Sequence, residues 1–192
     1  MLQRVGRGAF AGMWVFPGGR VDAADDGHDE LTRARSAAAR EAHEEVGVRV
    51  ATDALVPFSH WTPPVRATTP RRFATWFFVA PWAGDEIAVD GHEIVDHRWM
   101  APLAAVAEGL PLAPPTWVTL HHLAAYRSLA AVHAAPPAVE RYVTRPARAA
   151  GVPVLLWHGD AGYHSGDADV DGPRHRLWMP AGGAWRYERH QQ

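Results

Sequence analysis

The feature that most constrains this chain is a 17-residue stretch, Glu30–Val46, reading ELTRARSAAAREAHEEV. Ala, Arg and Glu dominate it, and all are strong helix formers. Asp29 or Thr32 is placed to cap its start, and Gly47 suits the left-handed residue that closes a helix. Leu31, Ala34, Ala38, Ala42 and Val46 give one narrow apolar stripe. Glu41, Glu44 and Glu45 fall at i, i+3 and i+4, so one helix face carries three carboxylates. Like charges at this spacing repel by roughly a few tenths of a kcal/mol per exposed pair. A helix shaped only for stability would interleave bases there. Three glutamates taken alone are more often a solvated face than a site, but hard divalent cations prefer oxygen ligands, and such a face suits Mg2+ or Mn2+.

Around this helix the chain reads as alternating strands and helices. Strands are expected at Trp14–Phe16, Val48–Ser59, Phe73–Ala80 and Ile94–Trp99, from their β-branched and aromatic content. Pro114–Pro115–Thr116 opens a second helix, expected over Trp117–Ala134. Beyond Pro136–Pro137 the pattern weakens to short strands at Val152–Trp157 and His175–Met179. The segment between these two, GDAGYHSGDADVDGP, has the acidic, Gly-rich look of a calcium loop. It lacks the terminal Glu and the regular ligand spacing, so a solvated turn is expected.

Composition removes several function classes. Basic residues number 19, all Arg, against 21 acidic ones, a net charge of −2. Strong electrostatic binding of nucleic acid is therefore not expected. With no Cys there is no disulfide framework, thiolate metal site or Cys nucleophile. No apolar run approaches the roughly 18–20 residues of a membrane span, and MLQRVGRGAF lacks the apolar core of a signal peptide. A soluble, cytoplasmic protein with no nucleic-acid or membrane partner is the expectation.

Gly18–Gly19 followed by Arg40–Glu41–Ala42–His43–Glu44–Glu45–Val46–Gly47–Val48 resembles the Nudix box, G-x5-E-x7-R-E-U-x-E-E-x-G-U with U aliphatic. The second half agrees at every defined position, with Ala42 as a small U, and Phe16–Pro17–Gly18–Gly19 is the usual entry to the box. The spacing departs from the family: Gly19 to Arg40 spans 21 residues instead of 14, an insertion of seven. Counted back from Arg40, the first Glu of the box falls at Thr32. Its task of pairing with the Arg then passes to Glu30 or Asp29, or Arg40 pairs with Glu44 one turn on.

The resemblance implies an α/β fold, the Nudix α/β/α sandwich, with a mixed sheet and the catalytic loop-helix-loop. It implies a Nudix domain over 1–135, with 136–192 as a C-terminal extension packed on the same domain. It also implies hydrolysis of a nucleoside-linked diphosphate with Mg2+ or Mn2+ as cofactor. Glu44 and Glu45 are the first choices as metal ligands, and Glu41 is a third ligand or the base that takes the proton of water. Arg40 orients the carboxylates. The Gly18 carbonyl faces a metal in this reading, and Glu93, six residues before Trp99, adds a carboxylate from a loop.

The flanks narrow the branch. Arg7–Gly8 ahead of FPGG, the long GGRVDAAD segment, His60–Trp61–Thr62–Pro63, Arg71–Arg72–Phe73–Ala74–Thr75 and Pro114–Pro115–Thr116 resemble coenzyme A diphosphatases of the peroxisomal type and their bacterial relatives. The substrate expected is coenzyme A or acyl-coenzyme A, cleaved to 3′,5′-ADP and (acyl-)4′-phosphopantetheine. Arg7, Arg71 and Arg72 would hold phosphates through their bidentate forks, and Trp61 or Trp76 would stack the adenine. ADP-ribose, NADH or a dinucleoside polyphosphate is the alternative substrate; a module that binds a nucleotide or protein without hydrolysis is the alternative of another class. Met1 falls almost inside the expected first strand, which implies either a start further upstream or a partner chain at the sheet edge. The tail from Pro136 is expected beside the substrate cleft or at a homodimer interface.

Overall fold

The computed structural model describes residues 1–7, 10–64, 73–82, 84 and 86–190. The chain divides into two compact units, Met1–Phe58 with Trp76–Ala138, and Ser59–Thr75 with Val139–Gln192. It is an α/β fold with a mixed arrangement of strands.

In the first unit, strand β1 (Leu2–Arg4) lies between β2 (Trp14–Val15) and β5 (Ile94–His97), antiparallel to both. Helix α1 covers Glu30–Val46, the bounds read from the sequence. Asp29 caps it, its Oδ1 accepting from the Thr32 N–H at 2.7 Å. Gly47 ends it with φ 72°, a left-handed conformation that glycine adopts without steric cost. Leu2, Val46 and Ile94 meet as a buried cluster, with Val15, Val48, Ile87 and Val89 around it. That contact fixes the last turn of α1 over β1 and β5. A second cluster joins Trp14 to Ala105 of α2 (Pro102–Ala107) and Leu120 of α3 (Pro114–Leu123).

The single helix expected over Trp117–Ala134 is two. Helix α3 stops at Leu123, and α4 (Leu129–Ala134) begins after Ser128. Ser128 is extended, and its hydroxyl accepts from the Ala131 N–H at 3.2 Å. A serine satisfies a free helical N–H more readily at a cap than inside a helix, so it restarts the chain there. The strand expected over Val48–Ser59 is likewise divided, into a turn of 3-10 helix at Thr52–Ala54 and strand β3 (Val56–Thr62). Strand β4 spans Thr75–Val79, and in the second unit Ser59–Thr62 of β3 pairs parallel with β6 (Glu140–Val143).

The second unit contains an antiparallel meander of β7 (Arg145–Ala149), β8 (Val152–Leu156), β9 (His175–Trp178) and β10 (Arg186–Arg189). Asp160 and Arg176 form an ion pair inside it, almost wholly buried, through two bonds of 2.7 Å. Burial alone would raise the Asp160 pKa, but Arg176 and the N–H groups of His175 and Gly162 outweigh it and hold the pKa below the ordinary range. The acidic loop between β8 and β9 is a run of turns, with His164, Ser165, Asp167 and residues 169–173 exposed, as the sequence led one to expect. Its carbonyls at Tyr163, His164 and Ser165 accept from the Arg145 guanidinium, which ties the loop to β7.

Candidate active site

Arg40 is the hub of the site. Its Nε and one terminal nitrogen donate to the two oxygens of Asp25, at 3.0 and 3.1 Å. The other terminal nitrogen donates to Glu41 Oε1 at 2.9 Å and to Glu44 Oε2 at 3.0 Å. The Arg20 carbonyl accepts a further bond. The hydrogen bond from Arg40 holds the Asp25 carboxyl below its ordinary pKa.

Asp25 corrects the expectation for the partner of Arg40. Glu30 instead accepts from the Trp76 indole N–H, and Asp29 is spent on the helix cap. Counting forward from Gly19, the G-x5-E spacing lands on Asp25, so the seven extra residues lie between Asp25 and Arg40. That count, made from the glycine and not back from the arginine, was the signal available in the sequence. The alternative of an Arg40–Glu44 contact one turn on also occurs in the structure.

Gly19 abuts the same carboxylate face. A Cβ placed on it would fall 2.1 Å from Glu41 Oε1, so only glycine lets the loop press against Glu41. The Gly18 N–H donates to Glu45 Oε2 at 2.9 Å. Glu44 is open to solvent, while Glu45 is only 5% exposed. Burial pushes the Glu45 pKa up to about 7, against the downward pull of the Gly18 N–H and Arg4.

Glu93 stands at the start of β5. Asp90 Oδ1 accepts from the N–H groups of His92, Glu93 and Ile94, folding the turn that presents it. Backbone bonds from Asp90 N–H to the Glu45 carbonyl and from Ala88 N–H to the Val46 carbonyl tie this turn to the end of α1. Arg4 donates to both Glu45 Oε1 and Glu93 Oε2, bringing those carboxylates into one cluster. Sequence reasoning did not single out Asp90 or Arg4; neither has a fixed place in the motif.

The donors Glu41, Glu44, Glu45 and Glu93 are all hard oxygens, the chemistry that Mg2+ and Mn2+ require. Glu45 also fits a cation on physical grounds, because burial and the nearby carboxylates of Glu41 and Glu93 disfavour its charge more than the Gly18 N–H and Arg4 favour it. In this arrangement two arginines take up the carboxylates: Arg40 holds Glu41 and Glu44, and Arg4 holds Glu45 and Glu93. Among the described residues, no three His, Asp or Glu side chains converge into a group that holds an ion as they stand.

The substrate residues fare differently. Arg7 is exposed on the loop after β1. Arg71 and Arg72 lie outside the described residues. Trp61 is corrected: it is 2% exposed and stacked on Tyr142 at 3.8 Å, with its indole N–H donating to Ser59. It belongs to the core of the second unit and offers no open face to an adenine.

Among the described residues no helix is long and apolar enough to cross a membrane. Comparison with curated proteins finds no match. Residues 1–125 match the family model of the NUDIX domain, a span that takes in the glycine pair, Asp25, the carboxylate helix and Glu93. Nudix hydrolases act on phosphorus-containing anhydrides, in general nucleoside diphosphate derivatives, and generally need divalent metal. With well over half of its length matched, the chain belongs to the Nudix hydrolase family.

Proposed function

We propose that this hydrolase cleaves coenzyme A or acyl-coenzyme A to 3′,5′-ADP and (acyl-)4′-phosphopantetheine. The observation that carries the chemistry is the Arg40 clamp, which orients Glu41 and Glu44 while Asp25 holds its far side. The coenzyme A branch rests on the flanking segments around FPGG and Pro114–Pro115–Thr116.

Divalent ions, when bound, neutralise the diphosphate oxygens and lower the pKa of water. In this reading Glu44 and Glu45 would hold them, with Glu93 and the Gly18 carbonyl as further oxygen donors. Glu41 accepts the proton of the attacking water. The water oxygen bonds to phosphorus, the bridging P–O bond breaks, and the leaving phosphate departs as an anion. Arg40 keeps Glu41 from turning away, and Gly19 leaves room for its carboxylate. Arg7, Arg71 and Arg72 are proposed to bind the outer phosphates, including the 3′-phosphate that sets coenzyme A apart from ADP-ribose.

The test is product identification by mass spectrometry, with coenzyme A, acetyl-coenzyme A, ADP-ribose and NADH offered in parallel, first with Mg2+ and then with Mn2+. The expected product is 3′,5′-ADP from the coenzyme A substrates. AMP from ADP-ribose or NADH, with coenzyme A untouched, would keep the chemistry and reject the branch.

A further inference from the structure

Arg4 holds a position that neither the family motif nor the hydrolytic step accounts for. It shares a face of β1 with Leu2, because alternate residues of a strand point the same way. Leu2 packs on Val46 at the end of α1, so Arg4 reaches the neighbouring Glu45. The ladder between β1 and β5 slips between Gln3 and Arg4: Gln3 faces Asp96, but Arg4 faces Ile94. A bulge of this kind re-aims a side chain, and here it brings Arg4 beside Glu93. The guanidinium therefore spans two carboxylates, at 3.4 Å from Glu45 Oε1 and 2.5 Å from Glu93 Oε2. Its Nε is buried and has no hydrogen-bond partner among the described residues.

A tie between strands does not explain this arrangement. The backbone ladder already joins β1 to β5. The Glu93 side chain is 61% exposed, and an ion pair so open to water adds little stability. A buried donor left unpaired also works against a purely structural role. The bridge does have one evident electrostatic effect: it places a single positive charge between two carboxylates that a dication would otherwise share.

We infer that Arg4 is a built-in counter-ion of the metal site, which competes with the divalent cation for Glu45 and Glu93 and thereby sets how tightly that cation is held. The inference rests on the reading that these carboxylates take the cation. For Mn2+ to bind between them, the guanidinium gives up at least one of its two bonds. Arg4 is thus a positioning residue. It keeps Glu45 and Glu93 facing each other and limits cation affinity.

The test is Mn2+ binding to the whole chain, read from the electron paramagnetic resonance of free Mn2+, with no substrate present. Wild type, Arg4→Met, Arg4→Lys and Glu45→Gln are compared, with melting curves to establish folding. Removing the competing charge in Arg4→Met is expected to tighten Mn2+ binding by about tenfold or more. Arg4→Lys serves also where the Met variant does not fold. A single ammonium lacks the fork that spans both carboxylates, so this variant binds Mn2+ severalfold more tightly than wild type. Unchanged or weaker binding in the folded Arg4 variants, with Glu45→Gln losing Mn2+, overturns the role of Arg4 and leaves the metal reading standing. Mn2+ binding that Glu45→Gln does not weaken, or no binding to wild type, overturns the metal reading and the inference with it.

Discussion

Replacing Asp25 by Asn tests whether the displaced acidic position does the work that the family motif gives to its first Glu. The Asp25 side chain is 4% exposed and that of Arg40 28%, and two bonds join them. Charge-assisted bonds contribute about 1.5–3 kcal/mol to stability, and the partial exposure of Arg40 places this pair toward the lower end. Asn keeps one acceptor and loses the charge, so a loss of about 1.5–2 kcal/mol is expected. For a chain of this size that lowers Tm by about 3–8 °C. Hydrolysis falls further, by about 10–100-fold, because Arg40 loses the anchor from which it orients Glu41 and Glu44. Asp25→Glu, which restores the acid usual in the motif, recovers most of the activity. The pair also has a pH signature. The Asp25 pKa is lowered in the folded chain, so its stabilisation is full above the unfolded carboxylate value, about 3.9. It is lost as pH falls through the lower folded value. Melting curves and product formation measured on the same preparations check this. An Asp25→Asn variant that melts and turns over like wild type, while Asp29→Asn or Glu30→Gln loses activity, would refute the assignment.

Three further outcomes follow from other contacts. Gly19→Ala is expected to melt near wild type, since the atom it meets is the end of the flexible Glu41 side chain, yet to lose about tenfold or more in turnover as that carboxylate is pushed aside. With a chelator present, Tm should decline as pH rises through about 7, because a carboxyl with a raised folded pKa stabilises only while protonated; Glu45→Gln removes that slope, and melts at several pH values show it. Asp160→Ala leaves the buried Arg176 guanidinium without its counter-charge and is expected to cost about 3–5 kcal/mol, read by denaturant unfolding; a loss under about 1 kcal/mol would contradict the account of the ion pair.

The carboxylate helix was legible in the sequence because its caps, propensities and spacing agree with one another. Asp29, Gly47 and the Ala-rich body all point to the same bounds. The break between α3 and α4 was not legible, because Ser128 acts through one local hydrogen bond that periodicity does not register. Of the strands from Arg145 onward, β8 and β9 were legible as Val152–Trp157 and His175–Met179, whereas β7 and β10 carry mixed polar residues and were not read. In β9 the buried cation Arg176, paired with Asp160, takes a core position that a hydrophobic pattern does not register. Within the site, contacts dictated by local spacing were the readable ones. The Asp25–Arg40 pair closes a loop of inserted residues, and the Arg4 bridge joins residues 41 and 89 positions apart. Trp61 was misread because an aromatic in a strand looks the same in the sequence whether it faces a ligand or Tyr142.

The central claim is that the carboxylates of α1 carry hydrolysis of coenzyme A. The most direct measurement is coenzyme A turnover by wild type and by the Glu44→Gln/Glu45→Gln double variant, side by side with Mg2+, after both are shown to fold. The account predicts 3′,5′-ADP from wild type and a loss of at least about 100-fold in the variant. Equal turnover by the two proteins, or no product from wild type with either Mg2+ or Mn2+, would contradict it.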